Sequence, residues 1–197
     1  MIRIPEWHHL RAAVEAKGYR WFEGGDFNLN LVGVRDGSRE VGAFDDLLLV
    51  AFRQHGNPVL FAFPCTTDPG RHYMRKPINP AGCAILKPGQ YRGLWQIGLH
   101  RSKYSALVQR GPATVYRDAN RDDRLDLGPA EETGFFGINL HHARADGVTE
   151  STDEWSAGCQ VLASADSFRL VMALADVAAA AWGNSFTYTL LEERDLP

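Results

Sequence analysis

Six consecutive residues, Leu47-Leu48-Leu49-Val50-Ala51-Phe52, carry no polar side chain. Successive side chains of a strand face opposite ways, so such a run is apolar on both faces and is expected to be buried on both. The segment Gln54-His55-Gly56-Asn57 reads as a turn into a second run over 58–63. Ahead of it, Leu29, Leu31 and Gly33 alternate with Asn28, Asn30 and Val32. Further short strands are expected at 94–99, 106–109, 114–116, 136–140, 159–162 and 185–191. The stretch 64–91, with Asp68-Pro69-Gly70, Asn79-Pro80 and Lys87-Pro88-Gly89, is dominated by turn chemistry.

Two helices stand out against this pattern. Residues 5–17 place Trp7, Leu10 and Val14 on one face, with Pro5 near the start and Gly18 as a stop. Ser164 is an N-cap for a long helix ending at Gly183, with Phe168, Val171, Met172, Ala175, Ala179 and Trp182 on one side. Many short strands without regular β-α-β alternation imply an α+β fold centred on a sheet. The 197 residues suit a single domain, 1–197, in which 1–26 form an N-terminal helical extension.

A formal net charge of -3 gives no reason to expect nucleic acid as a partner, and no polybasic run points to a membrane surface. No apolar run has the length of a membrane span. The N-terminus MIRIPEWHHL lacks the apolar core of a secretory signal, so synthesis in the cytoplasm without a signal peptide is the expectation. Cys65, Cys83 and Cys159 are too few, and odd in number, for a disulfide framework; one bridge with one free thiol, or three thiols, both fit.

The segment 137–142, Gly-Ile-Asn-Leu-His-His, followed by Trp155-Ser156-Ala157-Gly158-Cys159-Gln160, carries the chemistry. His141 sits at a strand exit, and a polar loop returns the chain to Cys159. Gly158 permits a tight bend that exposes the sulfur and turns backbone amides toward a developing oxyanion. A free thiol is mostly protonated at neutral pH, since its pKa is about 8.5. An imidazole within reach takes that proton, and the thiolate attacks a carbonyl without a metal or cofactor. The bland alternative is a buried cysteine acting as a small hydrophobe beside a histidine that closes a strand.

His141, fourteen intervening residues and Ser156-Ala157-Gly158-Cys159 resemble the L,D-transpeptidase signature, in which a histidine precedes Ser/Thr-His-Gly-Cys. Gly137-Ile138-Asn139-Leu140 resembles the strand bearing the family's histidine. Residues 77–86 more weakly resemble its threonine-proline-x-glycine turn and strand. Phe44-Asp45-Asp46, Thr66-Thr67-Asp68-Pro69-Gly70, Pro88-Gly89-Gln90-Tyr91 and 155–160 give a likeness to the version found in phage lysins and prophage cell-wall proteins.

That resemblance implies a β-sandwich core and a peptidoglycan stem peptide as substrate. It implies Cys159 as nucleophile, His141 as base, the His142 carbonyl orienting the His141 ring, and the Gly158 and Cys159 amides as oxyanion donors. Ser156, Gln160 and Asn139 would lie on the substrate side. The protein would act on the cell wall after release or delivery. Ala157 departs from the signature's second histidine, and Gln160 and Val161 from the residues after its cysteine. Hydrolysis, as an L,D-carboxypeptidase or endopeptidase, is therefore favoured. Crosslinking by transpeptidation and a catalytically silent wall-binding module are the alternatives. An activated thiol would label well below pH 8.5.

His100 and Tyr91 are further candidates for touching substrate, against ordinary readings as a strand-end histidine and a core aromatic. Cys65, with His100 downstream, has the papain-like order, although no glycine bend precedes it. The stretch Asp118 to Asp126 resembles the first half of a calcium loop, with Asp123 where glycine is needed and Pro129 where a glutamate is needed. A polar turn is the competing reading. His8-His9 reads as a solvated helix face without an acidic partner, and Asp45-Asp46 as a local structural element.

Overall fold

A computed structural model describes residues 2–38, 40–128, 130–152 and 154–197. The strand elements are β1 (Asn30–Arg35), β2 (Asp46–Gln54), β3 (Asn57–Thr66), β4 (Cys83–Leu86), β5 (Gly89–His100), β6 (Tyr104–Gln109), β7 (Ala113–Asp118), β8 (Glu131–Gly134), β9 (Leu140–His142), β10 (Gln160–Leu162) and β11 (Phe186–Glu192). The helices are α1 (Trp7–Ala16), α2 (Arg71–Arg75) and α3 (Ala165–Trp182). The fold is α+β. Its main sheet is a ring of eight strands, β1-β11-β5-β6-β9-β10-β3-β2, and β4-β7-β8 form a separate small sheet. Where two packed sheets were expected, the strand pairing gives a closed barrel with a satellite sheet. None of the described helices is long and apolar enough to cross a membrane.

β2 explains why the ring has two apolar surfaces. Leu48, Val50 and Phe52 join the interior with Leu31, Leu107, Leu140 and Tyr188. Leu47, Leu49 and Ala51 face outward and are covered by Ile2, Leu10, Val14 and Trp21, so α1 and its flanks supply the second cover that the sequence demands. The N-terminal extension is thus packed on the barrel wall. α3 lays Phe168, Val171, Met172 and Ala175 into the same cluster as the barrel interior. Its cap is as expected: the Ser167 N–H donates to Ser164 Oγ at 3.3 Å. An eight-stranded barrel is just wide enough for side chains to fill, and Trp95 and Tyr188 stack at its centre with ring centroids 4.5 Å apart. Gly33 makes room there, since a Cβ on it would lie 1.8 Å from the Tyr188 hydroxyl.

A buried polar network joins the strand ends below the candidate site. Arg35, 1% exposed, donates through Nε to Thr67 Oγ1 at 3.1 Å and through Nη2 to the Leu86 carbonyl at 3.0 Å, and pairs with Asp68 at 2.9 Å. Asp46 accepts from the Thr67 N–H at 2.6 Å, the Thr67 hydroxyl at 2.8 Å and the Asp36 N–H at 2.7 Å. From Thr67 the network reaches β10, because Gln160 Nε2 donates to the Thr67 carbonyl at 3.3 Å and the Tyr188 hydroxyl donates to Gln160 Oε1 at 2.7 Å. The structural reading of Asp45-Asp46 fits this arrangement, since Asp45 takes the Ser38 hydroxyl while Asp46 enters the network.

Burial, and then Asp68 beside it, pushes the Asp46 carboxyl up to about 8. The folded protein therefore holds a proton that the unfolded chain, with an aspartate pKa of about 3.9, has released. This group's contribution favours folding most at low pH and declines as pH rises from about 4 to about 8. Asp46→Asn loses an acceptor for Thr67 or Asp36 and is expected to cost about 1–3 kcal/mol. It is also expected to flatten the pH dependence in that window. Urea unfolding midpoints at pH 5 and pH 8 for both proteins check the two effects.

Candidate active site

β9 and β10 run parallel and adjacent, with Gln160 opposite Leu140 and Val161 opposite His141. Leu140 and Leu162 point into the barrel core, so by alternation Asn139, His141, Cys159 and Val161 project from the other face. Cys159 lies beside Asn139, whose carbonyl accepts the Gln160 N–H at 2.8 Å. His141 is its diagonal neighbour, and such same-face neighbours sit about 7–8 Å apart at Cα. The two residues singled out in the sequence are thus brought together on one side of one strand pair.

The segment before β9 was expected as a strand from 136, yet regular pairing starts only at Leu140. The Gln109 side chain stands in for a neighbouring strand. Its Oε1 accepts the N–H groups of Phe136 at 3.0 Å and Ile138 at 2.9 Å, while its Nε2 donates to the carbonyls of Gly111 and Gly134. Trp95 Nε1 adds a bond to the Ile138 carbonyl at 2.7 Å. Gln109 has no motif around it, so sequence reasoning missed it; a polar residue closing an apolar strand is the only signal.

Two histidine tautomers follow from these contacts. His141 Nδ1 lies 2.8 Å from the His142 carbonyl, which can only accept. The proton is therefore on Nδ1, and Nε2 keeps its lone pair, as a base requires. His100 Nδ1 lies 3.1 Å from Asn139 Nδ2, and Asn139 Oδ1 is occupied by the Gln109 N–H at 2.8 Å. His100 therefore accepts at Nδ1 and carries its proton on Nε2. The His100 and His141 rings stack with centroids 4.3 Å apart, and Tyr104 stacks on His142 at 4.5 Å.

Burial first, and then His100, drives the His141 pKa down to about 3, so the imidazole is neutral across the physiological range. Burial also lowers His100 and His142. The Cys159 thiol is half-buried and donates to the Gly137 carbonyl at 3.2 Å. Its pKa is raised by burial, against a smaller opposing effect of the Asn139 backbone and the Arg101 charge. The resting pair is a neutral thiol and a neutral imidazole. This desolvation points to labelling at higher pH than the well-below-8.5 expectation.

The bend before Cys159 depends on one glycine. Gly158 has φ +124, and a Cβ there would lie 2.2 Å from the Ala84 carbonyl oxygen. Its N–H donates to Ser156 Oγ at 3.2 Å, and the Ser156 hydroxyl donates to the Cys159 carbonyl at 2.8 Å. In the resting state the Gly158 amide is thus occupied by Ser156 rather than aimed at an oxyanion. Ser156, 0% exposed, braces the bend and does not face the cavity. Gln160, 1% exposed, turns inward to Thr67 and Tyr188. Tyr91 lies at the other end of β5 from His100 and bonds the Lys87 and Thr114 carbonyls. Ser156, Gln160 and Tyr91 are therefore corrected from substrate contacts to structural residues. Asn139 is a positioning residue for His100, which lines the cavity.

That cavity, of about 690 Å³, is bordered by His141, His142, His100, Tyr104, Tyr73 and Trp155, with the cations Arg101 and Lys103 at the β5–β6 turn. The other candidates lie elsewhere. Cys65 is fully buried in the core and its thiol is pushed well above the ordinary range by burial, which removes the papain-like reading. Cys83 is buried, and its thiol bonds the Tyr73 carbonyl; all three cysteines are free thiols. The loop from Asp118 to Asp126 bonds its own amides, with the Asp126 N–H on Asp118 and the Arg124 N–H on Asp122, as a polar turn does; Pro129 lies outside the described residues. His8 does have an acidic neighbour: Glu6 is 3.4 Å away, and Glu6, His8 and His9 cluster on the exposed start of α1. No family model, no curated protein and no solved structure matches the chain.

Two outcomes test this geometry. Iodoacetamide labelling of Cys159, read by peptide mass spectrometry, is expected to rise through and above the ordinary thiol range, with no plateau near pH 6–7. Gly158→Ala is expected to destabilise by about 1–3 kcal/mol or more, because both its backbone angle and its Cβ are disallowed; denaturant unfolding measures it.

Proposed function

We propose that the protein is a cysteine-dependent hydrolase of peptidoglycan stem peptides, resembling the L,D-transpeptidases in its motif. One observation carries the reading: His141 is held by the His142 carbonyl in the tautomer that leaves Nε2 open, on the strand beside Cys159 and on the same face. The order histidine, then Gly-Cys, and the backbone carbonyl in the orienting role both match what the signature implies.

The chemistry follows from that pair. The thiol turns from the Gly137 carbonyl and gives its proton to His141 Nε2 as the sulfur attacks the substrate carbonyl carbon. The tetrahedral oxyanion collapses, the C–N bond breaks, and the leaving amine takes the proton from His141. Water then attacks the thioester, giving its proton to His141, and the shortened peptide leaves as Sγ is reprotonated. No step uses a metal or cofactor. The cavity walls of Tyr73, Tyr104 and Trp155 supply apolar surface against which a peptide packs. Water is favoured over a second amine as acceptor because Ala157 stands where the transferase signature has its second histidine.

Incubation of purified muropeptides with the protein, followed by mass spectrometry, is expected to show loss of a stem residue or cleavage at a stem carbonyl. Cys159→Ala and His141→Ala are each expected to reduce the product by about 10³-fold or more, with peptide binding retained in Cys159→Ala. A product with a new crosslink assigns transpeptidation instead. Binding without any Cys159-dependent product assigns a silent wall-binding module.

A further inference from the structure

The loop between β7 and β8 carries oxygen donors that the proposed reaction does not use. Asp118, Asn120, Asp122 and Asp126 fall on positions one, three, five and nine of a calcium loop. Asp118 ends β7 opposite Cys83 of β4, and a Cβ on Gly82 would lie 1.9 Å from its carbonyl oxygen, so the small sheet fixes its backbone. Its carboxyl reaches across the loop, where Oδ2 accepts the Asp126 N–H at 2.9 Å. Asp118 is 1% exposed, and its other oxygen, Oδ1, accepts no hydrogen bond among the described residues. A carboxylate oxygen that is both dry and without a donor is the place where an ion or a water belongs.

The two exposed carboxylates converge on one partner. Asn120 Nδ2 donates to Asp122 Oδ2 at 3.1 Å and to Asp126 Oδ2 at 2.9 Å. Among the described residues, no lysine or arginine pairs with Asp118, Asp122 or Asp126. Asp123, which falls between the donor positions, is held by Arg75, whose Nε donates to it at 2.9 Å. The acids of the loop thus divide by position: the one off the donor set has a basic partner, and those on it have none. The bonds that make the segment a polar turn, from the Asp122 N–H to Asn120 and from the Arg124 N–H to Asp122, also keep it curled around its own acids.

We propose that this loop binds one calcium ion through the side-chain oxygens of Asp118, Asn120, Asp122 and Asp126 and the Arg124 carbonyl, with water completing the shell. The Asn120 amide turns its oxygen to the ion, which takes over from Nδ2 as the common partner of the carboxylates. Oxygen donors favour a hard cation over zinc or copper. A flexible loop with many ligands suits calcium over magnesium, which demands a near-ideal octahedron and keeps its waters. Asp123 at the glycine position and Pro129 at the place of the bidentate glutamate remove two features of tight sites, so a Kd of about 10⁻⁴–10⁻³ M is expected. The effect reaches α2, because Leu125 packs with Met74 and Tyr73 while Asp123 holds Arg75. Tyr73 borders the large cavity, so calcium stiffens one of its walls, whatever reaction the cavity serves.

Calorimetric titration of chelator-treated wild-type protein with calcium chloride is expected to show one site in that range. Thermal unfolding in about 10 mM calcium chloride is expected to raise Tm by about 3–10 °C, and magnesium chloride at equal ionic strength to give less than about half of that rise. Asp122→Asn and Asp126→Asn, both at exposed positions, are each expected to weaken calcium about tenfold or more with Tm in chelator little changed, and Asp123→Asn to keep the affinity within about threefold. Amide hydrogen exchange over 71–76 and 118–128 is expected to slow when calcium is added. No calcium heat and no rise in Tm, an equal rise with magnesium, or an undiminished calcium response in folded Asp122→Asn and Asp126→Asn overturns the site. Slowing confined to 118–128 overturns its reach to α2.

Discussion

The buried Arg35 guanidinium is the interaction on which the rest of the molecule depends. One cation inside the fold is shared between Asp68 and, through Thr67, Asp46. Removing such a charge from water costs several kcal/mol, and that cost is offset only when its donors and nearby carboxylates are well matched. Burial, and then the Asp68 carboxylate, drives Asp46 toward its protonated form against the opposing pull of Arg35. The network gathers the end of β1, the start of β2, the end of β3 and the last residue of β4. Through Gln160 it also fixes β10, the strand that begins directly after Cys159. The position of Cys159 is therefore set from beneath, by polar contacts inside the barrel.

Local signals in the sequence were legible. Ser164 and Gly183 bracket α3 because capping is decided within a turn of helix. Leu47–Phe52 announced a strand covered twice, and α1 proved to be the second cover. Barrel closure was not legible, because it comes from the parallel pairing of Leu31 with Tyr188 and its neighbours, between opposite ends of the chain. α2 is a single short turn and β8 is polar and exposed, so neither carries a periodicity long enough to read. The segment 136–139 looked like a strand because its composition is that of one, but Gln109 satisfies its backbone in place of a neighbouring strand.

The site was legible to a similar depth. The spacing of His141 and Cys159 placed both on one strand pair, whereas the assignment of Gln160 to the cleft overlooked the two-residue period of a strand. If Cys159 faces outward, its immediate neighbour faces the core, and Gln160 does so. Ser156 was misassigned for a different reason: its hydroxyl braces a left-handed glycine bend whose need for bracing appears only once Gly158 is seen against the Ala84 carbonyl. Tyr91 belongs to the far end of a long strand, and sequence gives no measure of that distance.

A neutral thiol beside a neutral imidazole seems at odds with a nucleophilic enzyme only if the ion pair must exist at rest. Desolvation disfavours both charged forms, since it raises Cys159 and lowers His141, and the stacked His100 adds to the second effect. Proton transfer then becomes favourable only when something else balances the new charge. In the proposed reaction an acyl carbonyl would do so, because negative charge passes from sulfur to the carbonyl oxygen as the bond forms, while the imidazolium finds an anion beside it. The Gly158 amide is held by Ser156 at rest, so the bend either opens toward the oxyanion during attack or leaves that task to the Cys159 N–H. In either case, under the proposed mechanism, the reactive charge is created with substrate and disappears with product. A thiol governed in this way is sheltered from adventitious oxidants and electrophiles, whose attack requires the thiolate that burial suppresses.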